Sequence, residues 1–309
     1  MSKYFTRATG LLALLVIIWG VSWSIYKLAL EYTPPILFAG TRSFFGGLLL
    51  ALVLLPAWRK IRWRENWKAY MISALLNAVL FYGLQTAGLE YLPGGLFSVV
   101  VYFQPVLIGI FAWMWLGEKM TAFKIAGLLT GFLGILVISA DSLTGDISII
   151  GIVMALLAAL SWALGVIYVK KVGRQVDSMW MVALQFIIGG AVLLAGGSVV
   201  ESWSDITWNL PYWAGLLFGA TFGVPIAFVI YFFLMNKGEA SKVAAFTFLV
   251  PLVAVLTGTV FLDEPVTATL AIGLVLIILS IYLVNRRPRQ AKALIQEKKT
   301  NDSGKEKPL

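Results

Sequence analysis

The chain predicts an all-α integral membrane protein with ten transmembrane helices arranged as two inverted five-helix repeats. Three observations carry this expectation. Of the 309 residues, 60% are hydrophobic and only 13% charged, about half the charged share of an ordinary globular domain. Apolar runs of about 20 residues, the length an α-helix needs to cross a bilayer core, recur from end to end. The pattern of the first half also returns in the second.

Breaking the sequence at charged, proline-rich and glycine-rich punctuation gives ten spans, over 9–30, 35–56, 68–89, 94–116, 121–140, 148–170, 178–200, 211–235, 241–262 and 267–285. Lys3 and Arg7 before LLALLVIIWG look like the start of a secretion signal. The apolar run is long and no small-residue cleavage site closes it, so it reads as a retained first helix.

The 24 lysines and arginines fix an orientation. They precede span 1 (Lys3, Arg7), join spans 2 and 3 (Arg59 to Lys68), 4 and 5 (Lys119, Lys124), 6 and 7 (Lys170, Lys171, Arg174) and 8 and 9 (Lys237, Lys242), and continue after span 10. The intervening loops, EYTPP, EYLPGG, ADSLTGDIS, ESWSDITWNLP and DEP, hold none. Basic short loops mark the cytoplasmic side, so both termini are expected there, in the cell membrane (plasma or bacterial inner membrane). Only Lys27 and Arg42 depart from the pattern. The segment 286–309 is too polar to fold by itself and reads as a disordered, solvated basic tail that fixes orientation, the binding of anionic headgroups by its basic start being the alternative. The net charge of +9 is thereby absorbed by topology and lipid, and nucleic acid is not an expected partner.

The repeat is explicit. QPVLIGIFAWMWLGEKMTAFKIAG from Gln104 aligns without a gap onto VPLVAVLTGTVFLDEPVTATLAIG from Val250, so Pro105 meets Pro251 and Glu118 meets Glu264. TRSFFGG at Thr41 matches LQFIIGG at Leu184, and WGVSWSIYK at Trp19 matches WALGVIYVK at Trp162. The units are 1–140 and 148–285. Five is odd, so the second unit enters the membrane from the opposite side. Lys27 falls at the outer end of its helix and its equivalent Lys170 at the inner end. Inverted repeats are how carriers obtain two mirror-related conformations around a site near the bilayer midplane.

Several function classes are disfavoured. The chain has no cysteine and no histidine, which removes disulfides, thiolates, imidazole bases and soft-metal ligands, and every carboxylate maps to a loop or a helix end. No metal or cofactor is expected. A membrane enzyme would be left with a Ser-Lys dyad built from Ser22 or Ser24 with Lys27, and a channel would lack a charged ring or filter loop. With no acid at mid-depth for proton coupling, export down a gradient is the expectation, and coupling through Glu31, Glu90 or the substrate's own titration stays open beside it.

The sequence resembles the EamA-type transporters of the drug/metabolite transporter superfamily, with two EamA domains. The likeness is carried by WGVSWSIYK, the arginine in TRSFFGG, the segment AGLEYLPGGLFSVVVYFQPV and the paired elements LGEKMTAFKIAG and LDEPVTATLAIG, and covers about 9–285. It implies a ten-helix carrier with a cavity between its halves, exporting amino acids or related small metabolites.

The residues themselves suggest the lining. Arg42 lies about 10 Å inside span 2, where a charge faces a bundle interior or a wet cavity; it either meets substrate or ties helix-end carbonyls or Glu31 together. Its repeat partner is Gln185. Trp19, Trp23 and Tyr26 share a face of span 1, with Trp162 the equivalent of Trp19. Asn77, Phe81 and Gln85 share a face of span 3, where amides in hydrocarbon are costly unless they meet protein or water. Tyr102, Gln104 and Pro105 come together on span 4, and Pro225, Phe228 and Tyr231 on span 8, while Pro105 and Pro251 break helices at equivalent depths. Glu118 and Glu264 stand where they would cap the helices immediately after them. Gly127, Gly131 and Gly134 form a small-residue stripe on span 5, suited to packing within the chain or to a homodimer.

Overall fold

The computed structural model describes residues 2–88, 91, 97, 100–138, 140, 148–262 and 268–286, and among these every regular element is helical. The helices are α1 (Ser2–Leu30), α2 (Pro35–Leu54), α3 (Trp63–Ala74), α4 (Phe81–Gly88), α5 (Gln104–Leu116), α6 (Ala122–Ile138), α7 (Ile149–Val172), α8 (Ser178–Val200), α9 (Leu210–Phe218), α10 (Ala227–Lys237), α11 (Ala240–Phe246), α12 (Leu249–Leu262) and α13 (Ala268–Asn285). Wide π-helical turns, Leu75–Leu80 and Gly219–Ile226, fuse α3 to α4 and α9 to α10 into single rods. Six stretches are long and apolar enough to cross a membrane: 8–30, 35–61, 63–88, 149–172, 178–200 and 210–237. Four shorter apolar helices, over 104–116, 122–137, 240–254 and 271–285, fall where the remaining spans are expected. The protein is an all-α membrane protein.

Segments that align in sequence pack in matching ways. Helix α2 lies along its equivalent α8, and α6 along its equivalent α13. At the first crossing a Cβ on Gly47 would sit 2.7 Å from the Ala183 carbonyl, and one on its equivalent Gly190 would sit 2.5 Å from the Phe44 nitrogen. Only glycine lets the two backbones come this close. The remaining helices are exchanged: α1 packs against α12, α9 and α10, while its equivalent α7 packs against α5 and α4. Each half therefore places its first helix in the other, and the main core, built around Trp162, Phe186, Phe228 and Tyr231, belongs to both.

The glycine stripe of α6 is consumed within the chain. A Cβ on Gly127 would meet the Ser280 carbonyl at 2.9 Å, and one on Gly134 the Gly273 carbonyl at 3.1 Å, both across the contact with α13. Of the two uses expected for the stripe, the structure shows the internal one.

The basic connections meet at one end of the bundle. Lys60 approaches Asp177 at 3.6 Å, Asn236 donates to the Ser178 hydroxyl at 2.8 Å, and Lys170 donates to the Gly238 carbonyl at 2.6 Å. At the other end Glu201 accepts from the Ile36 and Leu37 amides, at 2.8 and 2.7 Å, and so caps the start of α2 from the end of α8.

Candidate functional site

Where α1, α4, α7, α8 and α10 converge, the core is aromatic. Trp19 contacts Trp162 at 6.0 Å between ring centroids, Phe228 at 5.5 Å and Tyr231 at 5.1 Å. Phe81 lies 4.8 Å from Trp162, and Phe186 lies 4.5 Å from Phe228. All but the half-buried Trp19 are buried, and Tyr231, fully enclosed, has a hydroxyl with no hydrogen-bond partner. Five residues scattered through the sequence thus form one cluster around Trp19.

Tyr26 stands two turns along α1 from Trp19, about 10 Å away, and there it meets Arg42 of α2. The guanidinium carbon lies 4.6 Å from the centre of the Tyr26 ring and 4.5 Å from that of Tyr82. Arg42 is 8% exposed, and neither its Nε nor the Tyr26 hydroxyl has a hydrogen-bond partner. No carboxylate of the described residues is within ion-pair distance; Glu31 is exposed and Glu201 is engaged at the α2 start. Tyr82 joins this layer to the aromatic one below through Phe81, 5.1 Å away, and Phe186, 6.5 Å away.

Tyr82 was not among the residues expected from the sequence. A strict α-helical period puts Asn77, Phe81 and Gln85 on one face, but the π turn over Leu75–Leu80 inserts a residue into that period and rotates the next turns of the rod. Tyr82 is thereby brought against Arg42, Phe81 against Trp162, and Gln85 is left half-buried.

Asn77 and Gln185 meet each other. Both are fully buried; the Asn77 amide donates to Gln185 Oε1 and to Ser73 Oγ, each at 3.1 Å, and the Ser73 hydroxyl donates to Gln185 Oε1. In this conformation the pair is a polar tie between α8 and the α3–α4 rod, and it faces protein rather than an open cavity. Tyr102 and Gln104 are half-buried at the start of α5, Tyr102 against the smaller core that includes Phe248. Pro105 and Pro251 occupy the first turns of α5 and α12, where a missing amide leaves no bond unmade, whereas Pro225 lies inside the second π turn. The side chain of Trp23 lies outside the described residues.

At the basic end, Glu118 does not cap its own helix. Gly117, at φ 68°, closes α5 and turns the chain, and the cap of α6 is the Thr121 hydroxyl, which accepts from the Lys124 amide at 3.3 Å. The Glu118 carboxylate reaches across to α11, where it accepts from the Ala240 amide, from the Ser241 amide at 3.3 Å and from the Ser241 hydroxyl at 2.5 Å. It also pairs with Lys170 at 3.2 Å and Lys124 at 3.6 Å. Lys124 and Lys242 in turn hold Glu239. Burial raises the affinity of Glu239 for a proton, but the two ammonium groups outweigh it and hold its carboxyl below the usual range. Glu118, Lys170, Glu239 and Lys242 line a cleft of about 470 Å³ with Lys237 and Leu116. Glu264 lies outside the described residues.

The serine hydroxyls near Lys27 are engaged elsewhere. Ser22 donates to the Trp19 carbonyl at 2.6 Å, and Ser24 is paired with the Thr257 hydroxyl at 3.0 Å. Neither forms the dyad a hydrolase would need.

Comparison with known proteins places the duplicated helical chain in a family. The sequence fits the EamA-like transporter family twice, over residues 7–140 and 149–286. The chain belongs to this family. It is 53% identical over 288 residues to the uncharacterized transporter YvbV of Bacillus subtilis (strain 168), covering 93% of this chain and 94% of that one. It is 28% identical to a probable amino-acid metabolite efflux pump of Escherichia coli (strain K12), covering 90% and 95% of the two chains. A solved crystal structure shares the fold with a TM-score of 0.79 at 19% identity, covering 91% of this chain and 96% of the other. For an EamA-like chain, the aromatic centre and the Arg42 layer are the candidate site.

Proposed function

We propose that this EamA-like protein is a secondary carrier that exports small metabolites such as amino acids by alternating access. In this reading ten spans form two inverted five-helix units, with both termini and the basic end in the cytoplasm. The observation that carries it is the contact between Trp19 and Trp162, 6.0 Å apart. They are equivalent residues of the two repeats, and equivalent residues that touch must lie beside the axis relating the repeats. For inverted units that axis runs in the membrane plane, so the aromatic cluster sits at the midplane, where carriers bind substrate. The Glu118–Lys170–Lys124–Glu239 network then closes the cytoplasmic end, and exchange of α1 and α7 lets one half rock against the other. The amino-acid class draws support from the named Escherichia coli relative.

Export is tested by comparing metabolites released by overexpressing and deletion cells, then by counterflow of the enriched compound in liposomes. Flux that saturates with substrate and is accelerated by substrate on the far side is expected; unsaturable flux overturns the carrier. Orientation is tested with single cysteines, since the chain has none of its own. Ser204→Cys should react with an impermeant thiol reagent in intact cells and Arg64→Cys should not.

A further inference from the structure

Arg42 is a cation whose neutralisation is incomplete. Burial strips it of water, and two phenol rings restore only part of that loss. The usual complement, a carboxylate or carbonyl oxygens in the plane of the guanidinium, is missing among the described residues, and Nε makes no hydrogen bond at all. A purely structural arginine in hydrocarbon would use its fork of donors to tie acceptors together.

Beside it the Tyr26 hydroxyl is a second unused polar group. It points at Gly219 and Gly223 of the π turn, where a Cβ would come to 3.1 and 2.1 Å of it. The absence of side chains there leaves the hydroxyl and the aliphatic stem of Arg42 on the same small-residue surface, a Cβ on Gly219 coming to 3.2 Å of the Arg42 Cβ and 3.3 Å of its Cδ. One fixed positive charge, one hydroxyl donor and a continuous aromatic path through Tyr82 and Phe81 to Trp162 describe a receptor for a singly charged organic anion. A phosphate dianion would call for more than one cation.

We propose that Arg42, with the Tyr26 hydroxyl, binds the carboxylate of the transported solute while the rest of that solute lies against the aromatic layer around Trp19 and Trp162. The inference rests on the carrier reading and names the group by which the substrate is held. Gln185, the equivalent of Arg42, carries no charge and its Oε1 is taken by Ser73 and Asn77, so the cation that would hold the carboxylate is present in one half only.

The test uses the purified full chain in liposomes loaded with the standard L-amino acids and with the amines left when their carboxyl groups are removed, efflux being monitored by mass spectrometry. The wild type should release one or more acids and not the matching amines. Arg42→Gln should slow the acids at least about tenfold, the scale of losing one charge-assisted contact, with Arg42→Lys intermediate and Tyr26→Phe slower by several-fold. The melting temperature in detergent should rise with the transported acid in wild type and not in Arg42→Gln. If Arg42→Gln fails to fold, Arg42→Lys and Tyr26→Phe carry the same criterion. Equal release of acids and amines, or wild-type acid release by the variants, overturns the role of Arg42 and leaves the carrier standing. Release of neither by the wild type overturns the carrier reading, and this inference with it.

Discussion

Lys124 and Arg42 are hidden to nearly the same degree, 5% and 8% exposed, yet their surroundings could hardly differ more. Lys124 donates to Glu239 and Ser241 and pairs with Glu118. Arg42 has two tyrosine rings and an idle Nε. A buried cation surrounded by anions gains its attraction within the fold and resists being moved; one left without an anion retains attraction for whatever anion arrives. The basic end thus holds its own charges in place, whereas the Arg42 layer keeps the unmatched charge on which the proposed carboxylate site rests.

The largest break in this comparison comes from Glu118→Ala. It strips Lys124 and Lys170 of a shared carboxylate and leaves the Ala240 and Ser241 amides without their acceptor. Removing one partner of a buried ion network costs about 3–5 kcal/mol, so the melting temperature in detergent should fall by at least about 6 °C, at roughly 2 °C per kcal/mol. A shift under about 2 °C, the equivalent of a single kcal/mol, would mean that the network closes nothing.

Next comes Gln185→Leu. It removes the acceptor shared by the Ser73 hydroxyl and the Asn77 amide, leaving them only their bond to each other inside the packed contact, which costs about 1–3 kcal/mol. Double replacement of Asn77 and Gln185 by leucine should recover part of that loss, because the buried Asn77 amide is then gone and the Ser73 hydroxyl turns to a carbonyl of its own helix. If the double variant is no more stable than the single one, the pair does more than join α8 to the α3–α4 rod.

The contrast between these regions was only partly legible in the sequence. The spans, the basic connections and the duplication could be read because hydropathy, charge sign and alignment are properties of segments. The pairing of Asn77 with Gln185 could not. A membrane helix is apolar on every side, so amphipathicity does not say which face turns inward, and an amide that needs a partner looks the same whether it finds water, substrate or another amide. Tyr82 was hidden by the π turn before it, which no composition announces. Glu118 was visible as a carboxylate near a helix start, but its helix turned out to be α11 in the other half, a contact across 122 residues of sequence.

Arg42→Met sharpens the comparison from the other side. The substitution removes a cation with no carboxylate partner among the described residues, and a shorter apolar chain keeps part of the packing between Tyr26 and Tyr82. Stability in detergent should therefore change by less than about 1 kcal/mol, or rise, while Lys124→Met, which uncovers Glu239 and Glu118, should be clearly destabilised. Equal losses in the two variants would show that Arg42 has structural partners after all.

The smallest effect is expected from acid. The Glu239 carboxyl is held below its ordinary value because Lys124 and Lys242 outweigh its burial. A depressed carboxyl contributes stability that is fully present above its unfolded value and is lost as pH falls through the folded one. Glu118 also lies against Lys124, so the wild type must be compared with Glu239→Gln. The difference between their melting temperatures should stay constant above about pH 5 and shrink as the pH is lowered below the ordinary glutamate range. It should also be smaller at high salt, because Glu239 is partly open to solvent and its attraction is screened there. A difference that grows on acidification would mean that burial, and not the two lysines, governs Glu239, and that the tightly paired end of the molecule depends on Glu118 alone.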